Sequence, residues 1–329
     1  MPVSSADPNA FLAVGMQSAL GTPQTTAGKL RYAKYLSGTD VQPALEIVDL
    51  REGGDGLDEG FSYKKQQKAV GQIVLNARPE LLGQLLSLVP GGATWDGATV
   101  VGVHTFHTGH ASFPWATLFV QHPGSTLPQM LTDVRFTGFT IEGGPGDPWK
   151  LTMPFVAIQH GASFAALVPT YIAEDPLLFQ NSPTYVLDGT ADSDVTGFKI
   201  TQGLGVEELQ SQAVSLDEIV VQNRTTDVEV TRRYEDATLW KKINMGAGVT
   251  PTTSVATGSF RGGVAYGAGA GLRQIDVYAN LLSYRGLTLA ELNPDGVTVQ
   301  ETISGKALKG ATHAFFAIVK NGHASAYAA

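Results

Sequence analysis

The 329-residue chain contains no cysteine, which excludes a disulfide framework, a thiolate nucleophile and cysteine-held zinc or iron–sulfur centres. Its stability must come from packing and from association. Charge is scarce as well: 16% of residues are charged against 43% apolar. That balance is too apolar for general disorder and low in charge for a free-standing monomer, so partners are expected to cover much of the surface. The net charge of −8 comes without any block of like charges. No basic stripe is present to neutralise a run of phosphates, so sequence-specific DNA binding is not expected, although a negative wall would let DNA slide past without sticking. No run approaches the roughly 18 apolar residues of a membrane helix, and the start, Met1-Pro-Val-Ser-Ser-Ala-Asp-Pro-Asn9, lacks the basic and apolar regions of a secretory signal. The expectation is a chain made in the cytoplasm, with no membrane anchor.

What is present is punctuation. The 38 glycines and 17 prolines are spread over the whole chain, and short runs of alternating apolar and polar residues lie between them, the pattern of many short strands joined by turns. Residues 44–50, 71–76 and 116–121 are clear examples. A strand over 133–141 would place Val134, Phe136, Gly138 and Thr140 on one face and Arg135, Thr137, Phe139 and Ile141 on the other. One segment breaks the rhythm: from Arg78, Pro79 suits a first helical turn, Leu81, Leu82, Leu85, Leu86 and Val89 follow helical spacing, and Gly91 and Gly92 end it.

Around 165–190 the pattern loosens into a proline-rich connector. Beyond it the order of elements recurs: strands at 197–201 and 215–222, then a strand from Asp227 running into a short helix stopped at Gly246, as 72–91 did earlier. Segments 272–278 and 296–303 similarly parallel 131–141 and 149–158. Two copies rather than many suggest a fused duplication and not a solenoid. The expected architecture is mainly β, with two tandem sandwich- or barrel-like domains, 1–170 and 171–329, each carrying a short flanking α-helix.

Candidate chemistry is thin. His104, His107 and His110 form the one cluster resembling a metal site, but on a strand His104 and His107 point to opposite faces, and no carboxylate lies within the cluster. The alternative is a polar loop or edge. No Gly-x-Ser-x-Gly elbow occurs, and Ser112 and Ser163, near histidines, have no assignable acidic partner. The glycine run 262–271 departs from a phosphate loop and reads as a turn-rich loop; Gly305-Lys306 lacks the rest of a Walker motif. Asn223-Arg-Thr225 matches a glycosylation acceptor without a secretory context. No cofactor, metal or catalytic residue is assigned.

The segment 49–68 is more informative. An acidic, glycine-rich half with Arg51, Glu52, Asp55, Asp58 and Glu59 leads into a basic half with Lys64, Lys65 and Lys68, between two strands. Such a loop is either simply solvated or a docking arm whose opposite charges meet a neighbouring copy, a head-to-tail contact able to build an open filament.

Taken together, the chain resembles the tail tube proteins of siphophages. The resemblance rests on Phe11 to Pro23 with its Gln17…Leu20-Gly-Thr-Pro23 phrase, on Gly53-Gly54, on Gly71-Gln-Ile-Val74 followed by Pro79-Glu-Leu-Leu-Gly-Gln-Leu-Leu86, and on Val134…Phe139-Thr-Ile-Glu142 with Pro148-Trp-Lys-Leu-Thr-Met153. It covers about 1–160, and the remainder only through the duplication. It implies a β-sandwich or barrel-like domain with a flanking helix, whose strands continue into neighbours to form an inner barrel ring, with rings stacked into a tube. Single-domain members form six-fold rings, so a duplicated chain would form a trimer and an unduplicated one a hexamer. The implied partners are further copies of itself, the tape measure and tail terminator proteins, and DNA as a non-specific passenger, all within a virion tail. Two other readings stand beside this one: a capsid decoration or other surface β protein, and a β-sandwich hydrolase using His104, His107 and His110.

Overall fold

The structure, a computed structural model, describes residues 10–50, 61–89, 93–95, 102–108, 114–144, 147–161, 164–171, 183–211, 214–246, 253–289, 299–310, 313–323, 325 and 327. The architecture is mainly β, with eighteen strands and two α-helices among the described residues. In the N-terminal half the strands are β1 (Phe11–Met16), β2 (Arg31–Ala33), β3 (Asp40–Leu50), β4 (Phe61–Asn76), β5 (Ala93–Trp95), β6 (Val103–His107), β7 (Ala116–Gln121), β8 (Gln129–Phe136), β9 (Gly138–Gly143) and β10 (Lys150–Gly161), with α1 (Pro79–Leu88) after β4. In the C-terminal half they are β11 (Thr184–Leu187), β12 (Thr190–Ala191), β13 (Val195–Leu209), β14 (Glu218–Arg233), β15 (Thr257–Tyr266), β16 (Arg273–Leu289), β17 (Gln300–Ala307) and β18 (Phe316–Lys320), with α2 (Thr238–Met245) after β14.

One pairing scheme occurs twice, always antiparallel. β3 pairs β4 and β4 pairs β10, just as β13 pairs β14 and β14 pairs β17. β1 pairs β7 and β7 pairs β8, just as β11 pairs β15 and β15 pairs β16. β10 takes β8 and β9 as successive partners, while β17 takes the C-terminal part of the single long β16. Individual cross-strand pairs match. Phe155 opposite Phe136 corresponds to Gly305 opposite Tyr284, Ala157 opposite Val134 to Ala307 opposite Leu282, and Leu151 opposite Ile141 to Glu301 opposite Leu289. The break between β8 and β9 at Thr137 recurs as a register shift in β16 at Arg285.

That break corrects the reading of 133–141 as one regular strand. An extra residue in a strand moves the following side chains to the other face. Val134 and Phe136 therefore share the apolar core with Phe139 and Ile141, on the far side of Thr137. The peptide of Thr137 is bonded on both sides: its N–H donates to the Pro154 carbonyl at 2.9 Å, and its carbonyl accepts from the Leu204 N–H at 2.8 Å. Two further expectations change. The strands at 215–222 and from Asp227 are one continuous strand, β14, and Gly262 and Gly263 lie inside β15, with the turn confined to Gly267–Gly271.

A single large core joins the halves. Leu12, Val14, Leu118 and Val120 of β1 and β7 meet Ile73, Leu75, Met153 and Phe155 of β4 and β10, and the same cluster continues through Ile200, Val228, Val230, Phe260 and Ile303. α1 starts on Pro79, whose missing N–H is harmless in a first turn. It buries Leu81, Leu82, Leu85, Leu86 and Leu88, and Asn321 seals it by donating to the Pro79 carbonyl at 3.1 Å. α2 ends on Gly246 in the left-handed region at φ 59°, as its sequence led one to expect, but buries only Leu239. Among the described residues no helix is long and apolar enough to cross a membrane.

Candidate assembly interface

The pairings define an unbroken run of eight strands in the order β3, β4, β10, β9, β13, β14, β17 and the C-terminal part of β16. At its middle β9 meets β13, which with β6–β18 is one of two ladders that join the halves among the described residues: Ile141 lies opposite Ile200, Thr140 opposite Thr201, Phe139 opposite Gln202 and Gly138 opposite Gly203. This junction is closely fitted. Ile141, Ile200 and Phe139 are buried, and the hydroxyls of Thr140 and Thr201 lie 3.2 Å apart. A Cβ on Gly138 would fall 2.2 Å from the Gln202 carbonyl oxygen, so only glycine permits the approach.

The two ends of the run are open. Among the described residues β3 has only β4 as a ladder partner, and Gly286–Leu289 only β17. Unpaired edges expose a row of backbone donors and acceptors and are templates for another strand. Both edges also expose apolar side chains, with Leu45 at 45%, Ile47 at 56% and Leu289 at 41%. Proline on the outer side is one way an edge is blunted. Gln72 turns its N–H toward β3 at Asp40 Oδ1, 3.1 Å away, so by the alternation of antiparallel pairing Pro43, opposite Ala69, faces its nitrogen to the open edge.

The face of this run opposite the core is polar. One cross-strand row reads Asn76, Lys150, Glu142, Lys199, Glu229 and Ser304, and the next reads Val74, Thr152, Thr140, Thr201, Asp227 and Lys306. Signs alternate between neighbours, which favours the sheet and leaves a surface with no strong field of either sign.

The charged segment divides at the limit of the described residues. Arg51, Glu52, Asp55, Asp58 and Glu59 lie outside them. Lys64, Lys65 and Lys68 lie on β4, two of them engaged within the chain. Lys65 holds Glu46 across the hairpin at 2.7 Å, and this hydrogen bond raises the ammonium pKa. Lys68 pairs with Glu208 of β13, and the Gln67 N–H donates to the Val214 carbonyl at 2.8 Å. The Gln210 amide adds a bond to the Lys65 carbonyl at 2.7 Å, so the first long hairpin is tied along its β4 side to the second.

The histidines do not converge. His104 is buried, its Nε2 donating to the His323 carbonyl at 3.0 Å and its ring 4.8 Å from that of Tyr327; burial holds its pKa below the ordinary imidazole value. His107 stacks on His313 at 4.0 Å, and His110 lies outside the described residues. Among the described residues no three histidines, aspartates or glutamates are placed to hold a metal ion.

Sequence reasoning set 272–278 against 131–141 and so misplaced the repeated strand motif, whose copies the pairings put at 134–141 and 282–289. Val134-Arg-Phe-Thr-Gly-Phe-Thr-Ile141 and Leu282-Ser-Tyr-Arg-Gly-Leu-Thr-Leu289 share an aromatic, a spacer, a glycine, an apolar residue and a threonine in order. It also missed a buried ion pair. Arg232 and Glu301 face each other across β14 and β17 with Nε and Oε1 at 2.7 Å, and Asp192 meets the same guanidinium at 2.6 Å. Burial pushes the Glu301 carboxyl up, against the downward pull of Arg232. The matching pair in the N-terminal half is Leu75 opposite Leu151.

A mainly β chain with a long open run of strands and apolar edges is suited to association through its strands. The chain belongs to the phage tail tube protein family, whose profile matches residues 8–307. It is thus a component of a virion tail, from a structural and not an enzymatic family. No curated protein matches it.

Proposed function

We propose that this chain is the ring-forming subunit of a long, DNA-conducting siphovirus tail tube. The observation that carries the reading is the eight-strand run with an apolar, unpaired edge at each end. The twofold recurrence of the pairing scheme supports a duplication, with one unit in 1–170 and the other in 171–329. Three chains would then supply six equivalent units and about 24 strands. A barrel of about 8 strands is filled by its own side chains, whereas one of 16 or more leaves an aqueous channel. Three-fold closure would therefore open a pore that no single chain encloses.

The polar face of the run would line that pore, its mixed charge giving phosphates nothing to bind strongly. The arm at 49–68 would reach the next ring, while tape measure and tail terminator proteins would meet the tube inside and at its end. DNA would pass as a non-specific passenger. Negative-stain electron microscopy of the concentrated protein, alone and with purified tail tips as initiator, tests this. Hollow tubes of stacked rings are expected. Monodisperse particles under both conditions would overturn self-assembly.

A further inference from the structure

The junction between β9 and β13 is a contact between two copies of one pairing scheme, made inside a single chain. If rings form as proposed above, and this inference rests on that reading, the contact between chains joins equivalent elements: the C-terminal part of β16, which matches β9, and β3, which matches β13. The correspondence can be carried residue by residue. On β16, Thr288 and Leu289 match Thr140 and Ile141, because both pairs sit in the same register on β17 and β10, and continuing back along each strand matches Gly286 and Leu287 to Gly138 and Phe139. On β3, Val41, Gln42, Pro43, Ala44 and Leu45 match Ile200, Thr201, Gln202, Gly203 and Leu204, fixed by their registers on β4 and β14.

We infer that β16 of one chain pairs antiparallel with β3 of a second copy in a defined register, Leu289 opposite Val41, Thr288 opposite Gln42, Leu287 opposite Pro43 and Gly286 opposite Ala44. The burial pattern points the same way. Ile141 and Leu204 are 0% and 7% exposed in the internal junction, while their counterparts Leu289 and Leu45 are 41% and 45% exposed. A second copy seated in this register would cover them. The junction between chains is also the weaker of the two. Where Gln202 can offer its N–H to β9, Pro43 has none, so one donor is lost from the ladder between chains. A subunit with this edge joins its neighbours less readily than its own halves join each other, which suits a protein that must reach the assembly site unpolymerised.

The cysteine-free sequence makes the register directly readable. The Leu204 N–H bond to the Thr137 carbonyl marks that pair as hydrogen-bonded, so by alternation Thr140 and Thr201 form a non-hydrogen-bonded pair, the closer type at about 4.5 Å between Cα atoms, within disulfide reach. The matching pair is Gln42 and Thr288. Full-length Gln42→Cys/Thr288→Cys protein, assembled and then oxidised, should give chains covalently joined to each other, with the two single variants mixed giving only a joined pair. Thr140→Cys/Thr201→Cys should close a bridge within one chain and serves as the geometric control. Ala44→Cys/Thr288→Cys, two residues out of register, should crosslink at least tenfold less.

Tubes in the microscope without a 42–288 adduct, or with equal yield from the slipped pair, would overturn the register while leaving the assembly reading intact. Absence of both tubes and adducts would overturn the two together.

Discussion

At the scale of single residues, the two halves solve one packing position in opposite ways. Leu75 and Leu151 fill it with hydrocarbon, whereas Arg232 and Glu301 fill it with charge, held by Asp192 at 2.6 Å and with the Glu301 side chain fully buried. A buried pair repays the loss of hydration only while both members are present, so removing one is costly while replacing both with apolar residues of similar volume is often neutral or stabilising. Glu301→Leu should therefore destabilise the folded chain by about 3–5 kcal/mol, and Arg232→Leu/Glu301→Leu should recover most of that loss. Urea unfolding of the three proteins checks this. A double variant as unstable as the single would mean that Asp192, left without its arginine, dominates the site. None of this was legible beforehand, because an arginine and a glutamate 69 positions apart carry no periodic signal of burial.

At the scale of elements, helices of like position have unlike burdens. α1 is embedded, with Leu85 and Leu86 at 0% exposure and the C-terminal residues Asn321 and Tyr327 closed over it. α2 lies on the surface with Trp240 39% exposed. Leu85→Ala should cost about 2–5 kcal/mol through the cavity it leaves, and Trp240→Ala within roughly 1 kcal/mol, compared by thermal unfolding. Equal losses would show that α2 is packed more firmly than its exposure implies. Both helices could be read from spacing, the first from its leucines and the second from its glycine stop. The strands were legible as types but not as extents. Alternation shows where a strand runs, but the extra residue at Thr137 reverses the alternation, and a polar stretch such as Arg224–Thr226 in β14 hides a strand that is held by its ladder to β13. Register, which fixes the interface, depends on partners far away in sequence and emerges only once the pairs are seen.

At the scale of the whole molecule, sheet edges and charged arm would govern different steps of one assembly. Edge pairing is a matter of backbone hydrogen bonds and apolar burial, so it should resist salt. Contacts between exposed charges are screened within about 8 Å at physiological ionic strength and should yield to it. Lys65 and Lys68 are already occupied within the chain by Glu46 and Glu208, which leaves Lys64, Arg51 and the acidic residues Glu52, Asp55, Asp58 and Glu59 as the groups to act between rings. Replacing those four acids with their amides keeps the length of the arm and removes these four negative charges while leaving its cations without these opposite partners. The expected outcome is chains that still crosslink through 42 and 288 but form single rings or short stacks in the microscope, as the unmodified protein should do in high salt. Tubes of normal length from the amide variant would show that the arm is merely solvated and that stacking, like ring closure, is built from the sheet.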